Sequence, residues 1–430
     1  MSTAWVGWLI IFSPLFFRFT LVKVANHLHK SFQSVFTSVQ TNCELSPPTN
    51  LSWVRNIDTE FGLSCTSKLN ALPDLLFYLG FVMSCFFGPC FDRFNRKWSW
   101  FTTQLLGSCM IGAQLLSNDV YSYSLFRLVQ GCLNLLFYNS YYVYVSEIIE
   151  PRRRSILIPF VDMMSGIGTC MLSLIAYLAT SWHDYTRILA IISLVSTLSV
   201  MLMPESSLWL ECRQVNDDDH EKHIWRRFVS SRQLLLTSFQ LSLLFSGSMM
   251  SFYGLSLSIG SVNGNIFVNF FILGVADAVA SLVLVVMAKY ISRTPLLMIH
   301  FFGVGLSCII VGLLRLFQIE LEYVTLIFFM LGKFFASCTS SLVYLATAES
   351  FPTECRTLGV GICQFVARVM NVVLIVVLQG STGRIWLPPI IFGVLATLAG
   401  VICRFLPNNS SLELKTSIQT NKSLMQATMQ

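Results

Sequence analysis

Apolar residues run on along this chain instead of alternating with polar ones. Twelve stretches stand out, at 4–22, 71–91, 98–116, 120–145, 156–180, 186–204, 233–257, 264–288, 295–316, 323–347, 358–380 and 385–406. Each is about as long as a helix needs to be to cross a hydrocarbon core roughly 30 Å thick. A soluble helix carries one apolar stripe and an opposing polar face, and these stretches lack that second face. The pattern predicts an all-α membrane protein with twelve transmembrane helices. The first stretch, from Ala4 to about Val22, has no preceding basic region and no small-residue cleavage signal, so it is expected to be a span and not a signal peptide.

Composition sharpens this picture. Charged residues make up 12% of the 430 and hydrophobic ones 54%, against roughly 25% charged in an ordinary soluble domain. The net charge of +6 does not point to nucleic acid, because the basic residues are scattered over short loops. They report orientation. Arg93, Arg96 and Lys97, then Arg152 to Arg154, then the basic residues between Arg213 and Arg232, then Lys289 and Arg293, then Arg356 share one side with the C-terminal tail. The positive-inside rule places that side, and both termini, in the cytoplasm, with loop 23–70 outside. The outer loop holds Cys43 and Cys65, which in an oxidising compartment are expected to be bridged. It also holds Asn50 in an Asn-Leu-Ser acceptor, an expected glycosylation site. The other cysteines show no metal-site spacing, and no metal or other cofactor is expected.

Charged marks reveal an internal repeat. Glu147 and Arg154 follow the fourth stretch, Glu349 and Arg356 follow the tenth, and both members of the pair are offset by 202 positions. The basic turn Asp92 to Lys97 has its counterpart at Lys289 to Thr294, again after the second stretch of its half. The simplest organisation is an N-terminal six-helix half over 1–204, a cytoplasmic linker over 205–232, a C-terminal half over 233–406 and a tail over 407–430. Such repeats are typical of alternating-access carriers.

Candidate chemistry begins with the charges that apolar surroundings make expensive. Arg368, Asp277, Asp162, Arg127 and Lys333 lie within the stretches and must meet a partner or a water-filled cavity. Arg368 is the leading candidate to face a solute, with Asp277 the partner nearest in kind. Arg127 and Lys333 lie closer to span ends, where structural pairing or snorkelling explains them equally well. Tyr142, Phe252 and Tyr253 are candidate solute-binding aromatics, since ring faces stack on flat solutes or hold cations. Asp92, Arg93, Arg96, Glu147, Arg154, Glu349 and Arg356 are candidates for a latch that closes the cytoplasmic side. No phosphate-binding glycine loop and no convergent catalytic group is present, so an enzyme is not expected.

Five runs carry a resemblance: Thr59 to Cys65, Asp92 to Lys97, Pro204 to Leu210, Tyr253 to Ser256, and above all Glu349 to Gly361. Together they resemble the organic cation, anion and zwitterion transporters (solute carrier 22 type) of the major facilitator superfamily, over nearly all of residues 50–406. The resemblance implies a rocker-switch carrier of small organic ions in the plasma membrane, with a glycosylated, disulfide-bonded first outer loop and a central cavity between the halves. Anion carriers of that family place an arginine in span eleven, which Arg368 matches. They also place a lysine in span eight, and here that position is Ser281.

The favoured reading is an organic anion carrier. A cation or carnitine-like zwitterion carrier is the alternative that Asp277 and the tyrosine-rich fourth span support. A transport-deficient member serving as a membrane scaffold is the alternative that departures such as Asn95, Ser207 and Leu208 support.

Overall fold

The computed structural model describes residues 60–61, 68–92, 96–148, 154–179, 181–201, 230–262, 264–319, 321–351, 356–381 and 384–406. Within them lie eleven helices of 17 residues or more: α1 Leu72–Asp92, α2 Arg96–Ala113, α3 Val120–Ile148, α4 Arg154–Leu178, α5 Trp182–Met201, α6 Arg232–Ser258, α7 Ile266–Tyr290, α8 Arg293–Leu316, α9 Glu322–Ser350, α10 Arg356–Gly380 and α11 Leu387–Cys403. They follow the second to twelfth predicted spans in order. The first span lies outside the described residues, as do Cys43, Asn50, Cys65 and Arg93. Six of the eleven, α5 to α10, are long and apolar enough over a full window to cross a membrane.

Helix starts are set by local polar chemistry. Asp119 accepts from the Ser122 N–H at 2.9 Å ahead of α3, and these hydrogen bonds hold its carboxyl below the usual range. Ser181 accepts from the Asp184 N–H and donates to its carboxylate, opening α5. Ser231 and Asn265 cap α6 and α7 in the same way. Inside α6, the hydroxyls of Ser238, Ser242 and Ser246 each donate to the carbonyl one turn back at 2.7 Å. That bond satisfies a serine without help from water, which is why a serine-rich helix is tolerated in an apolar setting.

The distribution of burial is that of a protein in lipid. Ile191, Val195 and Leu198 on α5 and Phe239 on α6 are all more than 60% exposed, whereas Arg127, Lys333 and Arg368 are 1–3% exposed. In water this arrangement would be unfavourable on both counts; in a bilayer it is expected.

The helices associate in two groups. α1, α2, α3 and α5 pack on one another, α6 packs with α9, α10 and α11, and α8 packs with α9 and α11. Helices from the two halves of the sequence meet along α4 against α7 and α1 against α10. The sequence offset of the repeat exchanges these two contacts, since it carries α1 onto α7 and α4 onto α10. The α4–α7 contact is close: Gly166 faces Gly274 and Ala278 with no room for a Cβ. Ser173 donates to the Phe267 carbonyl across the same seam, and Cys170 to that of Phe271 at 3.4 Å. Small residues that let backbones touch are the usual way helices associate where no hydrophobic force drives them together.

The Thr59–Cys65 run shows part of its role. Glu60 accepts from the Trp182 indole at the start of α5, and Phe61 packs between Tyr123 and Trp182 with ring centroids 6.2 and 6.3 Å away. The repeated charges also take equivalent places: Glu147 and Glu349 fall in the last turns of α3 and α9, and Arg154 and Arg356 are the first residues of α4 and α10. Asp92 ends α1 and Arg96 begins α2. The side-chain contacts of these latch candidates lie outside what the structure describes.

Candidate functional site

Between the two groups lies a cavity of about 60 Å³. α3 contributes Tyr138, α4 Asp162 and Ser165, α6 Met249, Phe252 and Tyr253, α7 Asp277 and Ser281, and α9 Ser337, Ser340, Ser341 and Tyr344. Its wall therefore combines two carboxylates, five serine hydroxyls and four aromatic rings. Pockets that enclose a small organic ligand are typically about 300–1,000 Å³. The cavity is smaller than that range.

Among the described residues, three Lys and Arg cations are buried in the helices, and their surroundings differ. Arg127 on α3 pairs with Asp74 on α1, Nη2 to Oδ1 at 3.3 Å, and lies over the Phe77 ring at 5.0 Å. Lys333 on α9 stands 3.5 Å from the Asp277 carboxylate on α7. Its ammonium also donates to the Ser256 hydroxyl at 2.7 Å and sits 3.3 Å from the Phe252 ring centroid. Arg368 on α10 differs from both. Nη2 donates to the Tyr344 hydroxyl at 3.1 Å, the guanidinium lies 5.4 Å from the Phe81 ring centroid, and Nε and Nη1 have no hydrogen-bond partner. No carboxylate among the described residues pairs with it.

The predicted site residues therefore separate. Phe252, Tyr253 and Asp277 line the cavity. Arg368 is 1% exposed and stands behind the wall, with Tyr344 between it and the cavity. Tyr253 lies within electrostatic reach of the guanidinium and packs edge-on against Tyr78 of α1 at 5.7 Å. Asp277 is engaged by Lys333 and by the Ser337 hydroxyl, which corrects the expectation that it is the partner of Arg368. The helix geometry turns Asp277 toward α9 instead. The Tyr142 side chain lies outside what the structure describes.

Four wall features were not singled out from sequence: Met249, Tyr344, the serines of α9 and Ser165. A signal existed for the serines. Ser337, Cys338, Thr339, Ser340 and Ser341 form a polar run in the middle of an apolar stretch, and such a run marks a helix face that does not meet lipid. Ser341 uses it to donate to Asp162 of α4 at 2.8 Å, across the two groups. Nothing distinguished Tyr344 from the other tyrosines except its place one turn along from that run.

Known proteins share both the sequence pattern and the fold. The D-xylose-proton symporter superposes with a TM-score of 0.68 at 16% identity, covering 92% of this chain and 98% of that one. An inward-open xylose transporter from E. coli gives 0.67 at 16% identity, covering 91% and 96%. Among curated relatives, solute carrier family 22 member 21 of Mus musculus is 27% identical over 85% of this chain and 71% of its own length. Solute carrier family 22 member 16 of Homo sapiens is 26% identical over 85% and 70%. Organic cation/carnitine transporter 2 of Rattus norvegicus is 24% identical over 85% and 72%. The profile of the Major Facilitator Superfamily matches residues 57–375. With that match, the eleven-helix bundle and the relatives in hand, the chain belongs to the Major Facilitator Superfamily and is a membrane transporter, not an enzyme, related to the solute carrier 22 organic-ion carriers.

Proposed function

We propose that this protein carries small organic ions that present an anionic group to Arg368. The observation that supports this reading is the contrast among buried cations: Arg127 and Lys333 each have a carboxylate, whereas Arg368 has tyrosine hydroxyls and an aromatic face and, among the described residues, no carboxylate. A guanidinium stays charged at any working pH, so a site that withholds a carboxylate from it favours an arriving one. Alternating access of the halves 1–204 and 233–406 exposes the cavity to each side in turn. Asp92, Arg93, Arg96, Glu147, Arg154, Glu349 and Arg356 close the cytoplasmic face. The protein sits in the plasma membrane with both termini in the cytoplasm, which is the orientation the basic loops favour.

One observation favours a second reading. Asp162 and Asp277 line the cavity itself, beside Tyr138, Phe252 and Tyr253, and carboxylates with aromatic faces suit a cationic nitrogen. A zwitterion would use both ends of the site, and a relative named for organic cations and carnitine is in keeping with that.

Uptake of labelled anions, cations and zwitterions, measured per surface copy for the parent and Arg368→Ala, tests the proposal. Anion uptake is expected to fall by the equivalent of roughly 2–5 kcal/mol of charge-pair binding, with cation uptake unchanged or raised. Arg368→Lys recovers only part, because lysine lacks the planar fork that grips a carboxylate at two points. An Arg368→Ala protein that takes up every anion at the parent rate removes the anion reading. A parent that accumulates nothing leaves the scaffold reading in its place.

A further inference from the structure

Asp277 lines the cavity and has a buried cation beside it, and the details of that pairing are unusual. Its two carboxylate partners are the Ser337 hydroxyl and the Lys333 ammonium, the latter at 3.5 Å. Lys333 also has contacts on another helix. The ammonium donates to Ser256 Oγ at 2.7 Å and to the Phe252 carbonyl at 3.4 Å, and it lies 3.3 Å from the Phe252 ring centroid. All three of those anchors are on α6. Lys333 therefore keeps a hydroxyl, a carbonyl and an aromatic face if Asp277 turns elsewhere. Asp277 in turn keeps Ser337 and contact with the cavity.

The Asp74–Arg127 pair provides a contrast within the same protein. It is shorter, at 3.3 Å against 3.5 Å, and set between α1 and α3 away from the cavity wall. A pair that only holds helices together looks like that one. A pair that can exchange partners needs a carboxylate the solute can reach and a cation with somewhere else to rest, and Asp277 with Lys333 meets both conditions.

We propose that Lys333 is a specificity-determining residue that occupies Asp277 as a built-in counter-ion, so that a cationic nitrogen entering the cavity binds by displacing it. In the resting cavity Lys333 cancels the charge of Asp277 and thereby holds down affinity for simple organic cations. A solute that brings both a cationic nitrogen for Asp277 and an anionic group for Arg368 has more to gain than a solute with either alone. Lys333 acts on the solute through Asp277, without touching it. The inference rests on the reading that this cavity is the transport site, but not on which solute charge is favoured at Arg368.

The test is binding to the purified full-length protein in lipid nanodiscs, with tetraethylammonium as the cation and hippurate as the anion, beside thermal unfolding. Lys333→Met is expected to tighten tetraethylammonium binding by roughly tenfold or more, since it removes the internal competitor. Adding Asp277→Asn to that variant should abolish the gain. Asp277→Asn alone leaves Lys333 anchored on Ser256 and Phe252, so it should fold. It should lose tetraethylammonium binding and hold hippurate as well as or better than the parent. This second arm keeps the proposal open to refutation if Lys333→Met does not fold. Unchanged tetraethylammonium affinity in folded Lys333→Met overturns the proposal. So does a parallel weakening of both ligands in Asp277→Asn, the result expected of a purely structural pair. Arg368→Ala, measured alongside, separates the two readings: hippurate binding that survives it counts against the anion assignment alone, while the tetraethylammonium results count for or against Lys333 alone.

Discussion

Arg127 and Asp74 form a buried ion pair at 3.3 Å that ties α3 to α1, with both side chains about 5% exposed or less. Removing one partner leaves an uncompensated charge in an apolar setting, which costs about 3–5 kcal/mol, whereas replacing both by apolar groups of similar volume is close to neutral. Arg127→Met and Asp74→Asn are therefore each expected to lower the thermal unfolding midpoint in detergent strongly, and the double variant Arg127→Met with Asp74→Leu to recover most of it. Equal losses in single and double variants would show that the pair has a role in transport beyond holding the helices.

The sequence discloses the spans and the buried charges for the same reason: hydrocarbon excludes polar groups so strictly that the exceptions stand out. Arg368, Asp277, Lys333 and Arg127 are visible on that ground alone. Which carboxylate meets which cation is not visible, because pairing depends on how each helix is rotated about its axis and on which neighbours it packs against. Asp277 was expected opposite Arg368 and is instead held by Lys333 and Ser337. Tyr344 escaped notice for a related reason, since only the three-dimensional arrangement shows that its hydroxyl meets a guanidinium.

Gly166 and Gly274 set how closely α4 and α7 approach. A Cβ at Gly166 would run into the backbone of Ala278 and Gly274, and one at Gly274 would sit 2.8 Å from the Cys170 backbone nitrogen. Backbone atoms cannot yield as a side-chain end does, so Gly166→Val should force the helices apart. The expected outcome is normal surface expression with uptake reduced at least tenfold, in line with the size of overpacking penalties of about 1–3 kcal/mol. Parent-rate uptake by Gly166→Val would mean that the seam is not part of the transport cycle.

Two expectations concern the outer loop. Surface-expressed protein should carry Cys43 and Cys65 as a disulfide, and mass-spectrometric mapping that finds both as free thiols refutes this. Endoglycosidase should shift the parent but not Asn50→Gln. A shift that persists in the variant would move the glycan, and with it the assigned orientation.

The charges at the helix ends are expected to work as a latch. Asp92→Asn should slow cycling while surface abundance stays near normal, because it removes one carboxylate from the basic turn without disturbing the apolar spans. Transport per surface copy equal to the parent would leave that turn with orientation as its only role.

Tyr344 is expected to compete with the solute for Arg368. Its hydroxyl accepts from the guanidinium at 3.1 Å, beside the hydroxyl of Tyr253, and its ring is held edge-on against Phe245 at 4.6 Å. Because Tyr344 lines the cavity while Arg368 does not, an anionic group that takes over that hydroxyl's place gains the guanidinium. Tyr344→Phe keeps the ring and its packing but removes the acceptor that Arg368 Nη2 uses at 3.1 Å. That omission costs about 1–3 kcal/mol in the empty protein and nothing in a complex where a carboxylate supplies the missing bond. The variant should therefore unfold at a lower temperature when empty, bind hippurate about tenfold more tightly, and regain thermal stability when hippurate is added. Combining it with Arg368→Ala should erase the tightening, since no guanidinium is left to be freed. If Tyr344→Phe instead weakens hippurate, and does so equally with or without Arg368, then the hydroxyl serves the solute directly and Arg368 is a structural cation that the solute never meets.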